Sequence, residues 1–439
     1  MNRKSLRRVT LPLIAVCLVL ADCSGTTNSS TGPTTAFAVM RFTSAGALDT
    51  NFAGGRGIAI TDIDPGLFDF ALAAAVQPAD DKILAGGSSG LAGQGVVALV
   101  RYDKFGVLDP SFGSGGIVRT TLAGVAATAS AIAVQPDGNI LVAALTFTAS
   151  SNATGIALLR YTATGLLDPT FGNAGIVPTA AIGPGLAGDT CALALQVDGK
   201  IVVAGASTNG NIVLYRYNTD GTLDTTGFGT SGTGGTTVTT LPTAAMSPAI
   251  ALQSTGRIVL VSGTNVDQVA LRYNTNGTPD TAFGPSGANG VVVTDAGGTD
   301  FANAVAVQAD DGIVVVGHAN VDFNADASDI SLVRYISDGT LDTTFGNGGI
   351  VTTDLNGKFD NAFSVALLPT SILVSGNTGA AGISQAVVLR YTSTGALDPA
   401  FGPGGLGYTI APLIGPSNIA SGNAVVLQSA PGIIVAGYD

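Results

Sequence analysis

The sequence contains no glutamate and no tryptophan, and it has only one histidine and three cysteines. All 30 acidic residues are aspartates, and only five lysines occur in 439 residues. Glutamate and lysine are residues that commonly cover exposed helices, whereas aspartate favours turns and caps. Valine, isoleucine, threonine and alanine form the long runs of the sequence, and 61 glycines punctuate them. The composition therefore predicts an all-β fold.

The scarcity of cysteine and histidine restricts the chemistry open to the chain. Cys17 and Cys23 lie in or just after an N-terminal leader, so Cys191 has no disulfide partner in the body of the chain. A metal centre or a Ser-His-Asp triad built on His318 would need partners that no motif supplies. The sequence has no HExxH and no P-loop motif, and no GxSxG motif in a strand-to-helix context. The sequence therefore predicts no catalytic residue and no cofactor.

Basic residues are also few. The chain has a net charge of −12, and four of its 18 basic residues lie in the leader. From position 23 onward, 14 basic and 29 acidic residues leave a net charge of −15. A body with this charge repels nucleic acid and anionic membrane surfaces. We therefore expect no nucleic-acid partner, and membrane contact only through a lipid anchor.

Residues 1–22 have the pattern of an export signal peptide. A basic segment, MNRKSLRR, precedes an apolar run over 11–21, which is shorter than the roughly 20 residues of a membrane-spanning helix. The end of the run, LADC at 20–23, resembles the lipobox of bacterial lipoproteins, although Asp22 stands where that pattern has a small residue. The resemblance implies acylation at Cys23, with ordinary secretion or an uncleaved anchor as alternatives.

Residues 23–35 are predicted to be a flexible tether, because SGTTNSSTGPTT at 24–35 contains no apolar residue. Ser24 after the cysteine fits outer-membrane sorting by the same lipoprotein resemblance. We therefore expect an exported protein held at the outer membrane or cell surface, or alternatively a secreted one.

From residue 36 onward one pattern recurs seven times. An apolar run ends in Arg-Tyr or Arg-Phe, a glycine-containing turn follows, and an aspartate stands eight positions after the arginine. The arginines are Arg41, Arg101, Arg160, Arg216, Arg272, Arg334 and Arg390. The aspartates are Asp49, Asp109, Asp168, Asp224, Asp280, Asp342 and Asp398. The spacing indicates a repeat of roughly 60 residues.

Each repeat predicts four strands, which we call a, b, c and d. Strand a is an alanine-rich run that usually ends in glutamine, strand b is β-branched and ends near glycine, strand c ends in the arginine, and strand d is short. Asp137-Gly138 and Asp198-Gly199 are typical of the hairpin turn between strands a and b. The short connections favour an antiparallel meander.

Seven such units predict a seven-bladed β-propeller of four-stranded antiparallel blades over residues 36–439. Alanine at alternate positions of strand a suits the crowded place next to the axis. The body begins with strands c and d, at 37–42 and 57–61, and ends with strands a and b, at 423–428 and 432–437. These complementary halves predict a two-plus-two clasp that closes the ring and hides its edges.

The two repeated motifs, RY-x-x-x-G-x-L-D-x-x-F-G and a segment of the QPDGKIVVAG type, resemble the delta-60 repeat family of bacterial exported proteins. Members of that family are regarded as β-propellers, and the resemblance covers the whole of 36–439. The sequence departs from the pattern at Thr226-Gly227, which are inserted, at Pro279 in place of leucine, and at Leu368 in place of glutamine. The resemblance implies the fold and no established activity.

The repeated arginine and aspartate are predicted to be structural, because a catalytic site on a propeller needs one constellation and these residues occur in every unit. We expect a charge-assisted hydrogen bond between them across the turn from strand c to strand d. The phenylalanine that follows should fill the gap between blades.

The loops from strand d to the next strand a hold the remaining candidates. Carboxylates gathered at the channel mouth could bind Ca²⁺, a hard cation that takes six to eight oxygen ligands. No loop has the EF-hand spacing, and an acidic rim of aspartates that stabilise their own turns is the alternative. The candidates for Ca²⁺ are Asp62, Asp64, Asp69, Asp295, Asp300, Asp354 and Asp360.

These patterns predict a monomeric, non-enzymatic binding or scaffolding module at the cell envelope. Its ligand would be a protein, a glycan or an envelope component held on a loop face. One alternative is an enzyme such as a lyase or a glycoside hydrolase, which needs two carboxylates facing one pocket. Another is a structural surface protein, and fold alone does not decide among the three.

Overall fold

The computed structural model describes residues 35–439 except for 92, 148–152, 179–189, 208, 230–233, 242, 265, 323–326, 356–358, 381–382, 414–419 and 430–431. The predicted signal peptide, Cys23 and the tether as far as residue 34 lie outside the described residues. None of the described segments forms a helix with the length and apolar character of a membrane span. Contacts of the body begin at Thr35, which bridges to Phe68.

The described residues form 28 strands and two short 3₁₀ turns, at Ala53–Gly55 and Pro403–Gly405. The first strands of the described residues are β1 (Phe37–Thr43) and β2 (Ile58–Thr61). Blade 1 consists of β3 (Phe68–Val76), β4 (Ile83–Gly90), β5 (Val96–Tyr102) and β6 (Ile117–Thr120). Blade 2 consists of β7 (Ala126–Val134), β8 (Ile140–Phe147), β9 (Ala153–Tyr161) and β10 (Ile176–Pro178).

The next blades repeat this order. Blade 3 consists of β11 (Ala192–Leu195), β12 (Ile201–Ala206), β13 (Ile212–Tyr217) and β14 (Thr236–Thr239). Blade 4 consists of β15 (Ala249–Leu252), β16 (Ile258–Gly263), β17 (Gln268–Tyr273) and β18 (Val291–Thr294). Blade 5 consists of β19 (Phe301–Val307), β20 (Ile313–Asp322), β21 (Ala327–Tyr335) and β22 (Ile350–Thr353).

Blade 6 consists of β23 (Phe359–Leu368), β24 (Ser371–Ala380), β25 (Ile383–Thr392) and β26 (Tyr408–Ile410). The chain then forms β27 (Ser421–Leu427) and β28 (Gly432–Tyr438). Neighbouring strands within every blade are antiparallel and follow the predicted order from a to d. The protein is therefore an all-β, seven-bladed propeller.

The seventh blade is the predicted clasp. Its sheet has the order β2-β1-β28-β27, so the two strands from one end of the body lie directly beside the two strands from the other end. Seven consecutive residue pairs join β1 to β28, from Phe37 opposite Tyr438 to Thr43 opposite Gly432. The two half blades thus close the ring through backbone hydrogen bonds, and the prediction of a two-plus-two closure is confirmed.

Packing between blades follows from the period of two in each strand. In β8, Ile140, Val142 and Ala144 face a core shared with blade 1. Leu141, Ala143 and Leu145 face the opposite core, which is shared with blade 3. Every second side chain points to the same face of a strand, so a strand that is apolar throughout fits between two neighbouring blades.

A β-bulge in strand a explains one recurring glycine. The register between β19 and β20 shifts at Ala302 and Ala304, where one residue of β19 has no partner. The bulge brings the Phe301 carbonyl against Gly317 of β20, and a Cβ at Gly317 would lie 1.8 Å from that oxygen. Only glycine fits this position. Equivalent bulges with a glycine in the same place occur in β3, β23 and β27, whereas the bulge in β7 has Ala144 there.

Candidate functional site

The two ends of the blades have different connections. Because the strands are antiparallel, the connections a–b and c–d lie at one end of each blade and the connections b–c and d–a at the other. We call the first the turn end; it includes residues 135–139 and 103–109. We call the second the loop end; it includes residues 264–267 and 295–300.

The repeated arginines and aspartates lie together at the turn end. In each of the seven blades the arginine Nε donates a hydrogen bond to the aspartate Oδ2 across 2.8–2.9 Å. The guanidinium carbon also lies 4.4–4.8 Å from the centre of the phenylalanine ring of the same motif. Each guanidinium is therefore held by an anion on its edge and by an aromatic ring on its face.

The same arginines also join the blades to one another. Arg160 of blade 2 donates through Nη1 to the Thr219 carbonyl of blade 3, and Arg390 of blade 6 donates to the Ser44 carbonyl of blade 7. All seven arginines make this bond, and together they form a closed ring at the turn end. The acceptors are the carbonyls of Ser44, Lys104, Ala163, Thr219, Thr275, Ser337 and Ser393.

Several aspartates of this ring have a lowered pKa. Burial acts to raise the pKa of Asp224, but hydrogen bonds from Lys200 and Arg216 outweigh it and lower the pKa to about 2. The pKa of Asp109 is lowered to about 2 in the same way, with burial opposed by Ser111, Lys82 and Arg101. The carboxylates of Asp109 and Asp224 are therefore ionised and partnered at neutral pH.

At the loop end, the predicted aspartates of blade 1 do not gather. Asp64 forms an ion pair with Arg119, whose Nη1 donates to Asp64 Oδ1 across 2.9 Å. Asp69 is fully buried, and its Oδ2 accepts the Ile63 amide at 2.7 Å. Asp62 is exposed. Among the described residues, these three carboxylates do not form a compact group.

The aspartate at the start of strand a of blade 6, which follows Asp354 in the chain, is occupied by protein donors. Asp360 is fully buried, and its Oδ2 accepts the Leu355 amide at 2.7 Å while its Oδ1 accepts the Thr378 hydroxyl. Burial raises the pKa of Asp360 even so, with smaller contributions from Asp354 and Asp329. This carboxyl is thus a satisfied structural group.

Between blades 4 and 5 the structure brings three aspartates together. Carboxylate oxygens of Asp267, Asp295 and Asp300 all lie within 4.8 Å of one another. Asp267 precedes β17 and Asp295 follows β18; Gln268 pairs with Thr294, so the next positions of this ladder set Asp267 opposite Asp295. The Asp300 amide donates to the Val266 carbonyl at 3.0 Å, which places Asp300 beside them.

Sequence reasoning included Asp295 and Asp300 but missed Asp267. Asp267 lies in a b–c loop, whereas the prediction considered only the d–a loops. The signal that could have found it is the strand register, because an aspartate directly before strand c stands opposite an aspartate directly after strand d.

This group of carboxylates, which we call the acidic junction (Asp267, Asp295 and Asp300), has no compensating cation. In the described part of the chain no lysine or arginine forms an ion pair with any of the three. Burial, aided by the charges of Asp295 and Asp267, raises the pKa of Asp300 to about 7. Burial and Asp295 also raise the pKa of Asp267. The junction is therefore a site of uncompensated negative charge.

Cys191 is buried, and the side chain of His318 is half-buried. The His318 ring stacks on Phe301 with 4.7 Å between ring centres, and its Nδ1 lies 3.2 Å from Asn303 Nδ2. Burial lowers the pKa of His318 to about 4, so its ring is neutral at physiological pH. Burial raises the pKa of the Cys191 thiol to about 12. Neither group is poised as a nucleophile or base.

Comparison with protein families agrees with the repeat geometry. Six segments match the family described as a domain of unknown function (DUF5122) beta-propeller, and the matched residues are 79–112, 135–171, 196–226, 253–283, 308–345 and 371–401. Each segment contains strands b and c and the arginine–aspartate pair of one blade from 1 to 6. The matches thus cover strands b and c, the loop between them and the turn-end motif of these six blades.

No curated protein matches the sequence. Among solved structures, virginiamycin B lyase from Staphylococcus aureus is similar with a TM-score of 0.42 and 11% identity, covering 91% of this chain and 99% of that chain. Sqt1 from Chaetomium thermophilum is similar with a TM-score of 0.46 and 14% identity, covering 84% and 96%. A PL25 ulvan lyase has a TM-score of 0.44 and 9% identity, covering 80% and 84%. These likenesses concern the fold and say nothing of function.

Proposed function

We propose that the protein is an exported, lipid-anchored propeller that serves as a non-enzymatic binding or scaffolding module at the cell envelope. The observation that carries the proposal is the contrast between the two ends of the blades. At the turn end, the seven guanidinium groups are all engaged by carboxylates, carbonyls and rings of the protein itself. The loops at the loop end differ from blade to blade. A ligand would bind there, because binding residues are commonly found on loops that a rigid scaffold positions.

The ligand would be a protein, a glycan or an envelope component. Exposed apolar side chains at the loop end offer contact points: Leu91 follows β4 and Ile383 begins β25, each at 49% of full exposure. The exposed acids Asp62 and Asp295 lie at the same end. A surface of this composition suits a neutral or cationic ligand more than an anionic polymer.

Binding is tested with the purified protein on a glycan array, on peptidoglycan sacculi and on lipopolysaccharide, with affinity measured by biolayer interferometry. We expect the double variant Leu91→Glu, Ile383→Glu to weaken binding at least tenfold. The matched variant Leu166→Glu, Val197→Glu changes two exposed residues of the turn end and should leave affinity unchanged. Weaker binding in the turn-end variant alone would refute the proposed face.

Anchoring is tested separately. Mass spectrometry of the N-terminal peptide from membrane and culture fractions should find a diacylated Cys23 in the membrane fraction. An unmodified N-terminus confined to the culture medium would instead support the secreted form.

An enzyme of the lyase or glycoside hydrolase type is the alternative that the acidic junction brings to mind, because it holds paired carboxylates and one raised pKa. Asp300, the carboxyl with the raised pKa, is fully buried and so does not present its oxygens to a substrate. Release of products from any bound polysaccharide, lost in Asp295→Asn, would favour the enzyme over the binding module.

A further inference from the structure

The acidic junction differs from its two counterparts in the same molecule. Three positions recur where one blade meets the next: the residue after strand d, the residue at the beginning of strand c that faces it, and the aspartate at the start of the following strand a. By strand register, the first two positions face each other in blade 4, in blade 5 and in the clasp. The sets are Asp267, Asp295 and Asp300; Asp329, Asp354 and Asp360; and Ala36, Asp62 and Asp69.

The partner of the buried aspartate decides what each set can bind. Asp360 stands opposite Thr378, whose hydroxyl donates to it. Asp69 stands opposite Ser89; burial raises the pKa of Asp69 and the Ser89 hydroxyl acts to lower it, although Asp69 Oδ1 and Ser89 Oγ have no hydrogen bond among the described residues. The position opposite Asp300 is Ala319, one step beyond the pair of Phe301 with His318. Alanine has no donor, so the equivalent hydroxyl is missing at this junction alone of the three.

The consequence is an unsatisfied oxygen. Asp300 has no exposed surface, and its Oδ2 accepts the Ala296 amide. Its Oδ1 is buried and, among the described residues, receives no hydrogen bond. A buried carboxylate oxygen without a donor costs several kcal/mol unless a proton or a cation meets it. Two further carboxylates, Asp267 and Asp295, lie within 4.8 Å.

We propose that the acidic junction is a Ca²⁺ site formed by Asp267, Asp295 and Asp300. Two oxygens bound to one Ca²⁺ at about 2.3–2.6 Å can lie up to roughly 5 Å apart, which accommodates the separations in this group. Three carboxylates and no basic partner suit a hard divalent cation. Water would supply further oxygens, because Asp295 is exposed and lines an open groove of about 770 Å³.

The ion would join two blades. Asp267 directly precedes β17 and Asp295 directly follows β18, and both strands belong to blade 4. Asp300 directly precedes β19 of blade 5. At the next junction, the position of Asp267 is held by Asp329, which accepts a hydrogen bond from Asn320. At the blade 5–6 junction, protein donors thus bind the carboxylate oxygens that the proposed cation would bind at the acidic junction.

The test uses the full chain freed of metal with EGTA and exchanged into buffer at pH 7.5. CaCl₂ is titrated by calorimetry, and Tm is followed by differential scanning calorimetry. We expect one Ca²⁺ per chain and a Tm that rises with the logarithm of Ca²⁺ concentration. MgCl₂ should bind at least tenfold more weakly; equal or tighter binding of Mg²⁺ would overturn the assignment to calcium.

Variants locate the site. Asp295→Asn changes an exposed residue and should lower Ca²⁺ affinity at least tenfold, as should Asp267→Asn. The matched controls Asp62→Asn and Asp329→Asn change the equivalent positions of the other junctions and should keep affinity within twofold of the parent. Absence of heat and of any Tm shift at 10 mM CaCl₂, or an equal loss in controls and site variants, would refute the proposal. Should Asp267→Asn fail to fold, Asp295→Asn alone decides.

Discussion

Buried aspartates occupy opposite environments at the two ends of the propeller. At the turn end, Asp224 is almost fully buried and yet its pKa is lowered to about 2, because Lys200 and Arg216 donate to it. At the loop end, Asp300 is fully buried with no cation beside it, and its pKa is raised to about 7. Burial is similar in the two places, so the partner determines whether the carboxyl favours its charge.

The two ends also differ in how strictly they repeat. The arginine, aspartate and phenylalanine of the turn end have the same contacts in all seven blades. At the loop end, the three junction positions are acidic in two sets and partly acidic in a third. The contacts at the turn end join every blade to the next, so their residues repeat in each blade. A loop at a single junction is free to differ in sequence and to bind its own ligand.

Loss of one arginine of the ring should have the largest effect on stability. Arg160→Ala removes the partner of the buried Asp168 carboxylate and the bond to blade 3, so we expect a loss of about 3 kcal/mol in urea unfolding. The control Arg119→Ala breaks an exposed pair with Asp64 and should cost less than about 1 kcal/mol. Equal losses in the two variants would mean that the ring adds no stability.

Acid should weaken the turn end in a defined range of pH. The ring aspartates Asp109 and Asp224 have pKa values lowered from 3.8 to about 2. A carboxyl with a lowered pKa stabilises the folded protein fully above pH 4, and this contribution is lost as the pH falls towards 2. Each is expected to account for about 2 kcal/mol. The slope of stability against pH from 5 to 2 should become shallower in Asp224→Asn, and an unchanged slope would contradict the assignment.

The hydroxyl opposite the buried aspartate allows a test of the loop end in blade 6. Thr378→Ala removes the donor to Asp360 Oδ1 and leaves that oxygen buried without a hydrogen bond, like Asp300 Oδ1. We therefore expect the free energy of unfolding to fall by about 2 kcal/mol. Thermal or urea unfolding in EGTA measures it. Thr409→Ala, which removes a half-buried hydroxyl that donates to the Gly46 carbonyl, should cost about 1 kcal/mol.

The reverse change at the acidic junction should have the smallest effect. Ala319→Ser supplies a hydroxyl opposite Asp300, as Ser89 does opposite Asp69. In EGTA we expect a gain of about 1 kcal/mol, together with weaker binding of Ca²⁺ because the free oxygen has become occupied. A destabilised Ala319→Ser protein that binds Ca²⁺ unchanged would show that the missing hydroxyl is not what distinguishes this junction.

Most of the fold follows from local patterns in the sequence. The strands of β8 and β9 follow from runs of β-branched and small residues, and the turn between β7 and β8 follows from Asp137-Gly138. The complementary half blades predict the clasp, because the missing strands at one end are the strands present at the other. Local composition is sufficient where each repeat has the same neighbours.

The contacts between blades could not be read from the sequence. The pattern places Arg160 near Asp168, but its bond to the Thr219 carbonyl depends on how blade 3 is set against blade 2. Asp267 is likewise brought to Asp300 by the register of β17 with β18 and by the bond to Val266. Spacing along the chain describes a blade, whereas the acidic junction is a property of two adjacent blades.

The clasp has a consequence for the order in which the protein can fold. During synthesis, which proceeds from the N-terminus, each of blades 1 to 6 can form from one contiguous segment whose strands are close in sequence. Strand β1 cannot complete its pairing until the end of synthesis, because its partner β28 is the final strand of the ring in chain order. Until Gly432–Tyr438 arrive, the growing array has an unpaired strand at its edge, open to another chain. Closure is therefore the step of folding that depends on contacts between residues far apart in the sequence.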